Sequence, residues 1–421
     1  MADSRHILFV EMGTGLGGST RCLVALVRSC VAQGWPASVA LGYPVAELEQ
    51  ADAPWQVLPL YAHAAHRRGA NIRRQPNAAP GRRTRAASIG AFLTSALLAD
   101  LPLAHHLARY ARDNGVDLIH ANNELLVNRV AILAARLAGL PVISHQRGWS
   151  WPSRLTRLLA AAADRIVAIS DFVVHSLTDA GVPPDKIVRV YDGIDAQPFA
   201  DADRHRASAR ANLGFDPDDH VIGLPAVLLP WKGHDLFLSA FAELARRRPN
   251  ARALIVGGSP AAATDLAPAL RKRIADLGLT DRVRLTGHVD DVAPMYAAMD
   301  VVVHASLQPE PFGLVVVEAM AAGKPVVAAA AGGPAEIVNH AEDGWLYPMG
   351  DAPALTGALD YLLDNPHLRA ALARRAPLRA RRFDLSTHWT TIRSVYDERK
   401  RCQDDFTPPG RGTKSVVPVP G

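Results

Sequence analysis

Two glutamates eight positions apart suggest a binding site for a polyhydroxylated ligand. Glu310 follows the apolar segment 301–304 and its loop, and Glu318 lies on the helix predicted over residues 314–322. Each carboxylate can accept hydrogen bonds from two hydroxyl groups, so the pair suits a polyol. The N–H groups of residues 312–314 begin the predicted helix and favour sugar or phosphate oxygens.

A glycine-rich turn follows the first predicted strand. Residues 13–18 match G-x-G-x-x-G and lead into a helix. Gly17 and Gly18 would let backbone N–H groups approach a phosphate at the positive end of that helix. A nicotinamide enzyme also needs an acid at the end of the second strand, where residues 40–43 have none. The turn therefore predicts phosphate approach, with a tight turn that binds nothing as the alternative.

The alternation of short apolar runs with helical patterns predicts how these groups are positioned. It indicates an α/β protein with parallel, doubly wound sheets, and it restarts near residue 220. A chain of 421 residues also exceeds what one core usually serves. We predict strands at residues 6–10, 37–41, 118–120, 142–145, 165–169, 187–190, 220–224, 252–256, 283–285, 301–304 and 325–328. The predicted units are an N-terminal domain (1–196), a polar, irregular linker (197–219), a C-terminal domain (220–384) and a disordered tail (403–421).

Composition excludes several other classes of protein. The net charge of +5 is too mild to indicate a nucleic-acid partner. Three scattered cysteines supply neither a disulfide framework nor a zinc site, which fits a reducing cytosol. The sequence shows neither a signal peptide nor an apolar stretch of about 18 residues. We therefore expect a cytoplasmic protein that crosses no membrane.

One basic segment interrupts the alternation. Residues 53–99 contain no acidic residue, and apolar residues of segment 92–103 follow the arginines closely. Such a segment predicts contact with an anionic membrane surface, with a solvated insertion loop as the alternative. The arginines are Arg67, Arg68, Arg73, Arg74, Arg82, Arg83 and Arg85.

Further motifs follow in a fixed order along the chain. The N-terminal half has Gly17-Gly18, Asp117-Leu118-Ile119-His120, Ile169-Ser170 and Asp192-Gly193-Ile194-Asp195; the C-terminal half has Pro230-Trp231-Lys232-Gly233, the stretch from Glu310 to Glu318, Gly323-Lys324-Pro325, Gly332-Gly333-Pro334-Ala335-Glu336 and Gly344-Trp345-Leu346. With this series the chain, from about residue 7 to 396, resembles the retaining glycosyltransferases of family 4. The resemblance implies the GT-B fold, in which two facing Rossmann-like domains enclose a cleft.

The resemblance also implies roles for individual residues. Glu310 and Lys232 would be the catalytic residues: Glu310 would act on the donor sugar, and Lys232 would neutralise the leaving diphosphate. Glu318 would hold the ribose. The implied donor-binding set is Gly17, Gly18, Lys232, Glu310, Phe312, Gly313, Leu314 and Glu318. The cosubstrate would be a UDP- or GDP-sugar with no other cofactor, and the acceptor a glycan or lipid-linked molecule held by the N-terminal domain. A helix at residues 386–399 would return to that domain.

Three positions depart from the family pattern. Val227 stands where an arginine is usual, and Asp192 replaces an asparagine. Asn122 replaces the second histidine of a His-x-His that begins at His120. We predict His120, Asn122 and Arg147 as sugar or acceptor contacts. At the position of Val227, either another cation substitutes, with Arg147 a candidate, or donor binding is weaker.

The sequence predicts no metal site. Two D-x-D motifs, at residues 201–203 and 216–218, match the metal motif of another glycosyltransferase fold. Both lie in the predicted linker, whereas that motif should close an apolar strand.

The sequence leaves two other functions open. One is a GT-B enzyme of another reaction, such as a nucleotide-sugar epimerase, which would release nucleotide and sugar without an acceptor. The other is a non-catalytic nucleotide-sugar binder, which the departures at Val227 and Asp192 motivate.

Overall fold

A computed structural model describes residues 4–13, 17–63, 96–260 and 264–404, and it contains two parallel β-sheets. Each sheet has helices between its strands, as in a doubly wound fold. We call the part built on the first sheet the first domain and the part built on the second sheet the second domain. In the described ranges, every helix is too short or too polar to cross a bilayer.

The first sheet has seven strands in the order β3-β2-β1-β4-β5-β6-β7. The strands are β1 (Ile7–Glu11), β2 (Ala37–Leu41), β3 (Gln56–Pro59), β4 (Leu118–Asn122), β5 (Val142–Gln146), β6 (Arg165–Ala168) and β7 (Ile187–Arg189). The helices are α1 (Gly18–Ala32), α2 (Leu101–Asp113), α3 (Arg129–Ala138), α4 (Arg154–Ala162) and α5 (Asp171–Asp179). Alternate side chains of β1 enter different cores: Ile7 and Phe9 pack with α1, whereas Leu8 and Val10 pack with α2 and α3.

The second sheet has six strands in the order β10-β9-β8-β11-β12-β13. They are β8 (His220–Pro225), β9 (Ala251–Val256), β10 (Val283–Leu285), β11 (Val301–His304), β12 (Val326–Ala329) and β13 (Trp345–Tyr347). Two helices, α6 (Gln197–Ala200) and α7 (Arg206–Leu213), lie in the segment that connects the two sheets. The helices of the second sheet are α8 (His234–Arg247), α9 (Ala267–Asp276), α10 (Ala293–Ala298), α11 (Leu314–Ala321), α12 (Gly333–Ile337), α13 (Ala352–Asp364) and α14 (Pro366–Ala380).

Strand order changes direction at one place in each sheet. That place lies between β1 and β4 in the first sheet and between β8 and β11 in the second. Ligands of open parallel sheets bind beyond the carboxyl ends of the strands at such a switch point. The glycine turn after β1 and the loops after β8 and β11 are therefore the positions where a site is expected.

The predicted linker is more ordered than we expected. Residues 197–219 contain α6, α7 and a short helical turn at Ala202–His205. Nη2 of Arg210 lies 2.6 Å from Oδ2 of Asp300, and Oδ1 of Asp203 lies 2.6 Å from Nζ of Lys324. This segment therefore packs on the second domain, and one D-x-D aspartate, Asp203, is in an ion pair there.

The last described helix, α15 (Leu385–Asp404), packs on the first domain. Trp389 lies edge-on to Trp35 with ring centroids 5.6 Å apart, and Ile392 and Tyr396 are fully buried. The helix also includes residues 403 and 404, so the prediction of a disordered tail from residue 403 is wrong for these two residues. Residues 405–421 lie outside the described ranges.

Candidate functional site

The carboxylate of Glu310 is held by three side chains. Oε1 lies 2.6 Å from Nζ of Lys232, and Oε2 accepts hydrogen bonds from Nε2 of His304 at 2.6 Å and Oγ of Ser306 at 3.1 Å. Burial raises the pKa of Glu310, but the Lys232 charge and the His304 hydrogen bond outweigh burial and hold this pKa well below its usual range. Glu310 is therefore an ionised, fixed acceptor.

Two glycines fix the backbone on which Glu310 sits. The Glu310 carbonyl accepts a 2.8 Å hydrogen bond from the Gly333 N–H, and Glu310 also bridges to Gly332. Gly332 has φ of 65°, and a Cβ there would collide with the Glu310 carbonyl. The Gly332-Gly333 motif is explained by this close approach of two loops.

Lys232 ends a short helical turn after β8, and the loop after β11 holds it in place. Its Nζ lies 4.2 Å from the ring centroid of Trp231, whose carbonyl accepts a 2.7 Å hydrogen bond from the Leu307 N–H. Gly233 has φ of 73°, and a Cβ there would collide with the Ala305 carbonyl. The Trp-Lys-Gly sequence thus brings the ammonium to Glu310, which belongs to a separate loop.

Glu318 lies in the second turn of α11 and is buried. Oε2 accepts a 2.8 Å hydrogen bond from Oη of Tyr296, and Oε1 lies 2.8 Å from Nη1 of Arg21. Burial, then the Glu318 charge, raise the pKa of Tyr296 well above its ordinary value, so this hydroxyl stays protonated and donates. The sequence indicated neither partner, since Arg21 and Tyr296 belong to helices other than the one that carries Glu318.

The first turns of α1 and α11 meet between the domains. A Cβ on Gly18 would lie 3.0 Å from Cδ1 of Leu314, the first residue of α11. Gly17 caps α1 in an extended conformation, and Gly313 caps α11 with φ of 108°. Two positive helix ends therefore lie together, an arrangement that favours an anionic ligand.

Phe312 contributes packing with its side chain. It is buried, and its ring centroid lies 6.1 Å from that of Tyr191 and 5.7 Å from that of Phe383. The side chain thus anchors the loop between Glu310 and α11 and leaves only backbone groups to a ligand.

The predicted contacts His120, Asn122 and Arg147 lie together in a buried polar cluster at the carboxyl ends of β4 and β5. Arg147 donates to Asp192, and its Nε donates to Oδ1 of Asn122 at 3.1 Å. The Asn122 amide in turn donates to Oε2 of Glu11 at 2.6 Å. Arg147 is thus paired and buried inside the first domain, and the roles of the three residues as sugar or acceptor contacts, with Arg147 also as the missing cation, stay predictions.

His120 lies deeper in the same cluster. Its Nδ1 is 2.8 Å from Oη of Tyr396, and its Nε2 is 3.3 Å from Nδ1 of His145. Burial, then the Arg147 charge, lower the pKa of both histidines well below the usual value, so both rings are neutral. His120 therefore connects α15 to the sheet.

Glu11 is a buried acid at the glycine turn that the sequence did not predict. It ends β1 with no exposed surface, and its Oε1 accepts a 2.7 Å hydrogen bond from the Gly13 N–H. Burial raises the pKa of Glu11, and this effect outweighs the hydrogen bonds from Gly13 and Asn122, which lower the pKa. The available signal was a lone acid at the end of an otherwise apolar strand, immediately before the glycine turn.

A depression of about 400 Å³ opens in the second domain beyond β8 and β9. It is lined by Leu228, Gly258, Ser259, Pro260, Asp265, Ala267 and Gly287. Val227 precedes this lining and is 36% exposed, so an apolar side chain stands where the resemblance implied an arginine.

The seven arginines predicted to contact a membrane lie outside the described residues. Of the leucines that follow them, Leu98 and Leu101 are exposed, whereas Leu103 is buried in the first domain.

Comparisons with known proteins agree with this architecture. Residues 16–198 match the family described as Glycosyltransferase Family 4, and residues 205–379 match Glycosyl transferases group 1. The chain is 38% identical over 237 residues to a D-inositol 3-phosphate glycosyltransferase of Frankia alni, which covers 55% of this chain and 56% of that relative. It is 33% identical over 303 residues to D-inositol 3-phosphate glycosyltransferase 2 of Catenulispora acidiphila, covering 66% of this chain and 70% of the relative.

Solved structures show the same fold. Anabaena Alr3699/HepE in complex with UDP and glucose superposes with a TM-score of 0.77 and 28% identity, over 94% of this chain and all of that one. WaaG, a glycosyltransferase involved in lipopolysaccharide biosynthesis, superposes with a TM-score of 0.66 at 16% identity, over 92% and 99% of the two chains, and supports the fold alone. The chain belongs to glycosyltransferase family 4 and has the GT-B fold.

Proposed function

We propose that the protein transfers a hexose from a nucleoside diphosphate sugar to an acceptor hydroxyl, with retention at the anomeric carbon and without a metal ion. The observation that carries this proposal is the Glu310–Lys232 ion pair beside two converging helix starts. It offers fixed acceptors for sugar hydroxyls next to fixed positive charge for a diphosphate. The complex of Alr3699/HepE with UDP and glucose supports a nucleotide-sugar donor, and we propose UDP or GDP as its nucleotide.

Each part of the donor has a matching group. The ribose hydroxyls would bind Glu318, which Tyr296 holds in place. The base would occupy the depression beyond β8 and β9. The sugar would bind Glu310 and the backbone of residues 312–314, and the diphosphate would lie between Lys232 and the starts of α1 and α11.

Transfer needs no nucleophile from the protein. The bond from the anomeric carbon to the phosphate oxygen breaks, and the acceptor oxygen bonds to the same face of that carbon. The acceptor's proton passes to the departing phosphate, so atoms and charge balance. Lys232 and the helix N–H groups stabilise the charge that develops on the diphosphate, which is where fixed dipoles contribute most. Because Lys232 and His304 keep Glu310 ionised, it accepts sugar hydroxyls and gives up no proton.

The acceptor is proposed as a glycan or lipid-linked hydroxyl, bound by the first domain beside Asn122. D-inositol 3-phosphate is a second candidate for the acceptor, because two relatives that are 38% and 33% identical to this chain are named D-inositol 3-phosphate glycosyltransferases. We further propose a cytoplasmic protein, since Cys22 and Cys30 are both free and buried, with peripheral contact to the inner membrane face through the arginines of segment 67–85.

The test is a product assay on the full chain. UDP-glucose and GDP-mannose are each incubated with D-inositol 3-phosphate or with a panel of lipid-linked and soluble glycans, in EDTA. Proton NMR of the product should show the α-configuration of the donor. A β-linked product would overturn retention, and turnover only with added manganese would overturn metal independence. Release of free nucleotide and sugar without an acceptor would indicate an epimerase, and donor binding without turnover would indicate a non-catalytic binder.

A further inference from the structure

Arg21 and Glu318 join the two domains within the site. Arg21 is in the first turn of α1, and its Nη1 lies 2.8 Å from Oε1 of Glu318 in α11. The two side chains are 57% and 2% exposed respectively. Because Glu318 is desolvated while Arg21 reaches solvent, the arginine is the partner that can move away.

A ribose at Glu318 would compete with Arg21. Oε2 of Glu318 already accepts from the Tyr296 hydroxyl, and Oε1 faces Arg21. Ribose hydroxyls that bind this carboxylate would therefore displace the guanidinium from Oε1. That displacement leaves an unpaired cation at the cleft.

The displaced guanidinium would lie close to the phosphates. Gly18 comes three residues before Arg21 on α1, and a Cβ on Gly18 would lie 3.0 Å from Leu314, which comes four residues before Glu318 on α11. At 1.5 Å per residue, Arg21 is about 5 Å along its helix from the paired helix starts. A nucleotide with its ribose on Glu318 and its diphosphate at those starts therefore passes within one side-chain length of Arg21.

We propose that Arg21 is a donor-binding residue that leaves Glu318 when the nucleotide enters and pairs with the diphosphate. This inference rests on the proposed function and extends it to a residue of the opposite domain. It also explains how the site can lack a cation at Val227, because a planar guanidinium from α1 supplies the charge and the paired N–H donors that phosphate oxygens accept. The first domain thereby senses whether a diphosphate is present.

Calorimetric titration of the full chain tests this assignment. The probes are UDP, GDP, uridine and guanosine, and the quantity is the ratio of nucleoside Kd to nucleoside diphosphate Kd for the preferred base. Arg21→Gln should reduce that ratio about tenfold or more, because a charge-assisted phosphate contact is lost. The nucleoside should bind as tightly as before or more tightly, because it no longer displaces Arg21.

Arg28→Gln is the matched control, since Arg28 is exposed two turns later on the same helix and the substitution removes the same charge. For Arg28→Gln, the ratio of nucleoside Kd to nucleoside diphosphate Kd should equal that of the wild type. For Arg21→Lys, which keeps the charge, this ratio should stay close to the wild-type value. An unchanged ratio in Arg21→Gln, or an equal fall in Arg28→Gln, would overturn the role of Arg21 while leaving the proposed function intact. Failure of the wild type to bind either diphosphate would instead overturn the proposed function, and this inference with it.

Discussion

Glu336 of the second domain accepts a 2.8 Å hydrogen bond from the backbone N–H of Asp171 in the first domain. Its other carboxylate oxygen accepts from the Phe172 N–H, also at 2.8 Å. Both N–H groups belong to the first turn of α5, where the positive helix end favours a carboxylate. Glu336 therefore caps a helix across the domain interface.

Removing this cap should loosen the two domains. We expect Glu336→Ala to lower the free energy of unfolding by about 1–2 kcal/mol, because two helix N–H groups lose a charged acceptor. Scattering in solution should show a larger radius of gyration, and differential scanning calorimetry should show a lower Tm. Glu342→Ala, an exposed acid in the same domain, is the control. Equal Tm values for both variants would show that the contact does not hold the domains.

Glu310 and Glu318 should differ in the kinetic parameter they control. Glu318→Ala removes a group proposed to bind ribose equally in the ground and transition states, so it should mainly raise the donor KM. Glu310→Ala removes a group next to the reacting sugar, so kcat should fall by roughly 100-fold or more. Steady-state kinetics at varied donor concentration separates the two effects. Wild-type kinetics in either variant would refute the assignment of that residue, and the same change in both parameters for both would refute the division of roles.

The depressed pKa of Glu310 predicts a pH-dependent contribution to stability. Its pKa in the folded chain lies below the ordinary value of 4.5, so ionised Glu310 stabilises the fold above about pH 4.5. This contribution is lost as the pH falls below 4.5 towards the folded-state pKa. The Tm difference between wild type and Glu310→Gln should therefore be constant from pH 8 to 6 and shrink below about pH 4.5. A difference that instead grows on acidification would contradict the ion pair with Lys232.

Much of the sheet architecture was predictable because buried parallel strands read as continuous apolar runs. The segments 37–41, 283–285 and 301–304 match β2, β10 and β11. Strands β3 and β13 were not predicted. β3 is an edge strand in which Gln56 and Pro59 are exposed, and β13 has only three residues. β3 therefore shows no continuous apolar run. The same reason does not apply to β13, since β10 is equally short and was predicted.

The site was predictable where its residues stand in motifs that the chain shares with the family. Glu310, Glu318 and Lys232 stand in recognisable motifs, and the structure pairs Glu310 with Lys232. Arg21 was not identified, because its role depends on a contact between the two domains. His304 was not identified, although it lies six residues before Glu310, because its hydrogen bond depends on how the loop after β11 turns back. The surroundings of His120 could not be predicted either, since its partner Tyr396 belongs to α15 and stands 276 residues further along the chain.

The end of the chain should divide sharply into a dispensable and a required part. A chain that ends at residue 406 keeps all of α15 and should retain full activity. A chain that ends at residue 385 loses Trp389, Ile392 and Tyr396, and each large buried side chain contributes about 2–5 kcal/mol. Circular dichroism melts and expression yield would measure the loss. A stable, active chain that ends at 385 would show that α15 is not part of the first core.

The seven arginines between residues 67 and 85 should bind the protein to anionic membranes. Each basic residue near such a surface contributes about 1 kcal/mol, so seven could supply several kcal/mol before any apolar contact forms. Co-sedimentation with liposomes should require an anionic lipid and weaken as salt rises above physiological strength. Changing all seven to glutamine should abolish it.

A control variant separates this cluster from general basic charge. Changing Arg271, Lys272, Arg374 and Arg375, which are basic residues of α9 and α14 in the second domain, should leave the co-sedimentation as it is in the wild type. A lipid-linked acceptor would then account for a basic surface in the domain proposed to hold it, because the enzyme must meet that substrate at the bilayer. If the wild type fails to bind at low salt, or the seven-glutamine variant still binds, the acceptor is better sought among soluble molecules such as D-inositol 3-phosphate.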